Sequence, residues 1–194
     1  MMNQGSIHAM ILAAGESLRL GSPKQLLLYQ GTTLIRHLAK TALDSRAHKV
    51  SVVIGANAGE IEAEVSRLPL SVINNAKWQE GISSSIRAAV AALGSDTAAV
   101  LFLLSDQPLV STPILNALIE AFREHPDRII ACAYADTVGV PAIFPKSYFP
   151  DLAALTGDAG AKTVLLRNSA TVSTIPFPDG AIDIDSLSDL KKLK

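Results

Sequence analysis

The sequence predicts an α/β fold, a single doubly wound and mostly parallel sheet with helices on both faces. Short β-type runs bounded by turn residues alternate with longer segments whose apolar residues recur at helical spacing. Several of the short runs have no polar face, as in Val100, Leu101, Phe102, Leu103 and Leu104. A strand apolar on both sides belongs at the centre of a parallel sheet that is covered twice. Its shortness separates it from a buried helix segment.

Taken in order, the first strand is expected at residues 7–12. Residues 33–43 follow as a helix with Leu34, Leu38 and Leu43 on one face, and 50–54 form the next strand. Ile61 and Val65 mark a second helix, and 70–74 a third strand. In residues 83–93, Ile86, Val90 and Leu93 fall at i, i+4 and i+7 behind three serines able to cap exposed N–H groups. The strand 98–104 leads to a helix with Thr112 as N-cap and Pro113 in its first position. Ile114, Leu115, Leu118, Ile119 and Phe122 are its buried stripe, and His125 with Pro126 marks its end. Strands at 129–134, 142–144 and 172–175 and a last helix at 186–191 complete the expectation. No repeat or long linker divides the chain, so residues 1–194 are read as one domain. Right-handed crossovers place ligand loops at the carboxyl ends of the strands, so chemistry is expected after Leu12, Asn74 and Leu104.

Composition narrows the classes. With 48% hydrophobic and 18% charged residues, an extended disordered chain is excluded. A formal net charge of −1 lacks the basic field that phosphate-backbone binding requires, which argues against nucleic acid as the main partner. One cysteine, Cys132, permits no intrachain disulfide, and in an apolar run it reads as a small buried hydrophobe. No signal-like segment opens the chain and no apolar run reaches the roughly 18 residues of a membrane span, so a soluble cytoplasmic protein is expected. His8, His37, His48 and His125 form no i, i+4 pair, which argues against zinc. No Gly-x-Ser-x-Gly elbow is present either.

The loop after the first strand, residues 12–24, holds Gly15, Ser17, Arg19, Gly21 and Lys24. Small residues let backbone N–H groups approach an anion, and Arg19 and Lys24 add positive charge, so the loop reads as a phosphate cradle. An ordinary βα loop with solvated cations is the alternative. Neither the P-loop pattern nor the dinucleotide fingerprint is matched. Asp106 follows an all-apolar strand and precedes Gln107-Pro108, which directs its carboxylate into the ligand crevice, where a hard oxygen suits Mg²⁺. A turn or N-cap aspartate is the other reading. Asp183 and Asp185 alternate with Ile182 and Ile184, so both carboxylates share one side of an extended segment. One of them completes the metal shell, or Asp185 or Ser186 caps the last helix and Asp183 is solvated.

The run LAAGESLRLGSPKQLL is similar to the signature loop of nucleotidyltransferases that activate molybdopterin or sugar phosphates. Asn75, Trp78 and Gly81 to Arg87, Ser105 to Pro108, Gly139 to Phe144, Gly157 to Lys162 and Asp183 to Asp185 stand in the same order as the motifs of the molybdenum cofactor cytidylyltransferase family, and the chain resembles that family along nearly its whole length. The resemblance implies a Rossmann-like nucleotidyltransferase fold with a nucleotide-binding N-terminal half and an acceptor-binding C-terminal half. It implies nucleotide binding by Leu12, Ala13, Ala14, Gly15, Ser17, Arg19, Lys24, Asn75, Gly81, Ser84 and Ser85. Arg19, Lys24 and Asp106 are then catalytic, with Mg²⁺ on Asp106 and on Asp183 or Asp185. Pro141, Gly157, Asp158 and Lys162 would bind the acceptor. Ala14 stands where guanylyltransferase relatives carry glycine, which favours CTP over GTP. Leu20 replaces a frequent methionine and Lys162 a frequent arginine, the second change weakening a bidentate phosphate contact. The implied acceptor is molybdopterin carrying molybdenum, with a molybdoenzyme or its chaperone receiving the product. Trp78 reads as pocket wall or as packing. The alternatives are a guanylyltransferase, a sugar- or alcohol-phosphate nucleotidyltransferase, a non-catalytic nucleotide-binding regulator and a flavodoxin-like binding module.

Overall fold

The computed structural model describes residues 5–17, 22–184 and 189. Seven strands form one sheet: β1 (Ser6–Leu12), β4 (Lys49–Ile54), β5 (Ser71–Asn74), β6 (Thr97–Leu104), β7 (Ile129–Tyr134), β8 (Thr137–Pro145) and β9 (Val172–Pro176). Their order across the sheet is β5-β4-β1-β6-β8-β7-β9. All neighbours are parallel except β8, which runs against both β6 and β7. A two-stranded hairpin, β2 (Leu28–Tyr29) and β3 (Thr32–Thr33), lies apart.

Side chains alternate across each strand, so β1 feeds two cores. Ile7, Ala9 and Ile11 pack with residues of α1 (Leu34–Leu43), α2 (Ala58–Val65) and α4 (Thr112–Glu124). Met10 and Leu12 pack with those of α3 (Ile82–Ala91), α5 (Phe149–Ala153) and α6 (Ala161–Arg167) on the other face. The expected double winding is therefore present. Phe102 of β6 and Phe144 of β8 meet edge to face, with ring centroids 6.0 Å apart. Among the described residues no helix is long and apolar enough to cross a membrane.

Several local expectations need correction. Ser111, not Thr112, occupies the N-cap of α4, and the Thr112 hydroxyl donates to Thr41 O at 3.2 Å instead. No serine side chain caps α3, whose N-cap position is Gly81. Residues 142–144 are only the end of β8. Its pairing with β7 steps from Ala142 opposite Ala131 to Gly139 opposite Cys132. Val140 and Pro141 thus lie in a bulge, where a proline interrupts no ladder bond. The helices α5 and α6 and the β2–β3 hairpin were not expected. The helix at 186–191 lies outside the described residues.

Candidate active site

β1 ends at Leu12, and the loop beyond it is pinned to the end of β4. The Ala13 N–H donates to Val53 O at 2.9 Å and the Ala14 carbonyl accepts from the Ala56 N–H at 3.1 Å. Two of the loop's carbonyls are held by Gln25, whose side chain is almost wholly buried. Its Nε2 donates to Ala13 O at 3.1 Å and to Gly15 O at 2.9 Å. Ser17, at a φ of 60°, donates its hydroxyl to Gln25 Oε1 and accepts the Lys24 N–H at 3.1 Å. A short 3-10 turn, Lys24–Leu26, therefore fixes the cradle from behind. Leu18, Arg19, Leu20 and Gly21 lie outside the described residues, and with them the Arg19 assignment.

The opposite wall is Trp78. A Cβ placed on Gly55 would come within 2.6 Å of Trp78 Cβ and 2.9 Å of Ala14 Cβ, so the bare glycine lets the indole and the Ala14 methyl close against the end of β4. Gly81 takes a φ of +92°, and a Cβ there would meet Asp158 Oδ1 at 2.5 Å and Gly157 O at 2.6 Å. The Gly157 carbonyl also accepts the Ser83 N–H at 3.2 Å. The 157–158 turn is thus seated on the start of α3. Beneath it, Asn75 donates to Ser84 Oγ at 2.8 Å and Ser85 Oγ at 3.1 Å, while its Oδ1 accepts the Lys77 N–H.

Between these walls lies a cavity of about 330 Å³ lined by Leu12, Ala14, Gly15, Lys24, Trp78, Gly81, Ser85 and Asp106, among others. The Lys24 ammonium donates to Asp106 Oδ2, joining the first loop to the end of β6. Asp106 Oδ1 is buried and has no hydrogen-bond partner among the described residues. The Ile184 N–H donates to Asp106 O at 2.9 Å, which brings the segment holding Asp183 to the same place. Both carboxylates act on the Tyr134 phenol, although burial is the main cause that raises its pKa above the ordinary value.

The structure thus brings Leu12, Ala14, Gly15, Lys24, Gly81, Ser85 and Asp106 together at the cavity, while Asp158 packs against Gly81. Ala13, Ser17, Asn75 and Ser84 stand behind it as supports. Lys162 is exposed at the start of α6, and Pro141 is buried in the β8 bulge. Asp185 lies outside the described residues. Sequence reasoning missed Gln25, Glu16, Gln79 and Ser105, all of which line the cavity. Cys132 is buried and has its thiol pKa pushed up to about 12 by burial, as an inert core residue should.

Residues 9–172 match the model of the MobA-like NTP transferase domain. The chain belongs to that family. This MobA-like chain is 32% identical to the nicotine blue oxidoreductase of Paenarthrobacter nicotinovorans, with 96% of each chain covered. It is 31% identical to the 2-C-methyl-D-erythritol 4-phosphate cytidylyltransferase of Psychrobacter arcticus, over 69% of this chain and 49% of that one. The crystal structure of Rv0371c from Mycobacterium tuberculosis H37Rv superposes with a TM-score of 0.85 at 30% identity, covering 97% of both chains. That of its manganese complex gives 0.81 at 27% identity with the same coverage. The doubly wound sheet is a nucleotidyltransferase fold.

Proposed function

We propose that this MobA-like chain transfers CMP from CTP to a phosphorylated acceptor of the molybdopterin type and releases pyrophosphate. The observation that carries the nucleotidyl transfer is the convergence of the Ala14-Gly15 loop, Lys24 and Asp106 on one cavity at the carboxyl ends of β1 and β6. An acceptor phosphate oxygen forms the new bond to the α-phosphorus, and the bond to the bridging oxygen breaks with its electron pair leaving on pyrophosphate. Such a displacement needs positioning and charge neutralisation rather than a protein nucleophile.

Each residue's part follows from its place. The Gly15 loop holds the triphosphate through its backbone, and Lys24 turns its ammonium from Asp106 to the phosphates as negative charge spreads. Asp106 and Asp183 fit Mg²⁺, because that ion uses one or two carboxylates with substrate phosphates and water, and the buried Asp106 Oδ1 has an open lone pair. When bound, the ion supplies charge stabilisation across the triphosphate and acceptor. The Ala14 methyl and Trp78, both close to Gly55, would narrow the base side, which supports a pyrimidine. A relative named as a cytidylyltransferase and another crystallised with manganese support the same reading.

The test is pyrophosphate release from CTP, GTP, ATP and UTP in turn, with Mg²⁺ and a panel of phosphorylated acceptors. Release with CTP and the molybdenum-loaded pterin is expected. Lys24→Ala should lower the rate by about two to three orders of magnitude. Release with another base or acceptor corrects the substrate, and near-normal turnover in Lys24→Ala refutes the assigned chemistry. The similarity to an oxidoreductase over 96% of the chain favours a second reading, in which the cavity holds a nucleotide redox cofactor. Consumption of NAD(P)H without pyrophosphate release would select it.

A further inference from the structure

We propose that Gln107 is a positioning residue that fixes the segment carrying Asp183 against the Asp106 loop and so would set where the Asp183 carboxylate stands relative to Asp106 when a metal binds. The inference rests on the nucleotidyltransferase reading above. Gln107 follows Asp106 directly, yet its side chain is 3% exposed and turns away from the cavity. Its Nε2 donates to Val140 O at 3.3 Å and to Gly180 O at 3.2 Å. One amide therefore ties the Asp106 loop to β8 and to the turn Pro178–Ala181 that leads into Asp183. Past Asp183 the chain is tied again, where the Ile184 N–H meets Asp106 O. The Asp183 residue is thus bracketed by two attachments to consecutive residues, Asp106 and Gln107.

Tyr134 closes the same buttress. Its hydroxyl donates to Val140 O at 3.0 Å. Its ring fills the space over two glycines: a Cβ on Gly180 would lie 2.6 Å from Tyr134 Cδ1, and one on Gly139 would collide with the hydroxyl. The Gly180 turn therefore rests on the ring while Gln107 holds its carbonyl. Asparagine is one methylene too short to span both carbonyls, and glutamate would set lone pairs against them. A shift of the turn would move Asp183 relative to Asp106 without touching the Gly15 loop or the base wall, so metal and nucleotide binding should respond separately.

The experiment measures Mn²⁺ binding in the presence of CTP by electron paramagnetic resonance, CTP binding without metal by calorimetry, and metal-dependent pyrophosphate release. It compares the wild type with Gln107→Met, Asp183→Asn and the double variant. Gln107→Met should weaken Mn²⁺ binding by about tenfold or more, as loss of an outer-shell partner does, and leave metal-free CTP affinity nearly unchanged. In the Asp183→Asn background it should add nothing, since its effect passes through that carboxylate. Unchanged Mn²⁺ affinity, an equal loss of metal-free CTP affinity, or additive effects in the double variant would each overturn the proposal while the nucleotidyltransferase reading stands. A wild type that binds neither Mn²⁺ nor CTP ends that reading, and this proposal with it. If Gln107→Met does not fold, Tyr134→Phe, which removes the hydroxyl that donates to Val140 O and meets the Gln107 side chain, should weaken Mn²⁺ binding in the same direction by a smaller factor. No change there counts against the buttress.

Discussion

Gln25 shows how a residue with no chemistry of its own shapes a ligand site. Its amide satisfies two carbonyls of the first loop from below, at Ala13 and Gly15. This leaves the upper side of the loop free for a ligand. Gln25→Leu keeps the volume but strips both donors, so two inward-facing carbonyls lose their partner. We expect a loss of about 1–3 kcal/mol in folding free energy by urea denaturation. Nucleotide affinity should fall as well, since the cradle loses its fixed shape. Wild-type stability in this variant would show that water replaces the amide. At this scale the legible part of the site was its charge. Lys24 and Asp106 announced themselves as ionisable groups at strand ends, where an α/β sheet places ligands. Gln25 and Gln107 did not, because an amide that serves distant backbone carbonyls leaves no periodic or chemical signature in the chain.

At the scale of elements, the opposite end of the sheet carries a pH dependence. His8 of β1 is buried beside Ser51 of β4, with 2.8 Å between Nε2 and Ser51 Oγ, and its Nδ1 has no partner among the described residues. Burial first, then the nearby Lys49 charge, lowers its pKa from the ordinary 6.5, while Asp96 pulls the other way. The folded state therefore resists a proton that the unfolded chain accepts. Stability from this residue is complete above pH 6.5 and is lost as the pH falls through the lowered value. His37 is lowered mainly by burial and adds the same sign. The urea midpoint should drop on acidification below neutrality, and His8→Val should flatten part of that drop. An identical pH slope in the variant would remove His8 from the account. Most strands and four helices were readable because their apolar residues recur over enough positions to fix a period. The rest were short or broken by local rules. The helix α6 spans 7 residues, less than two turns of pattern. The β7–β8 turn puts Ala135 and Asp136 at φ of 46° and 55°, without the glycine that marks such a turn. The strand expected at 142–144 begins earlier, at Thr137, because the bulge accommodates Pro141.

For the whole molecule, the two cores place Cys132 within the sheet, and its thiol belongs to the cooperative unit. A thiol reagent should label it only through unfolding, with a rate that rises with denaturant. Stoichiometric labelling of the folded protein within minutes would contradict that. The strand order also divides the sheet in an unexpected way. Strands β5, β4, β1 and β6 come from residues 6–104 and strands β8, β7 and β9 from residues 129–176, so each side of the sheet is one continuous stretch of chain. Asp106 lies just past the last strand of the first stretch. On a ribosome adding about 5–20 residues per second, β6 emerges seconds before β9. The first four strands can therefore pair in the nascent chain while the residues that will cover the far edge of β6 are still being made. That edge is then a short-lived hazard of synthesis, exposed until β8 arrives to pair with it.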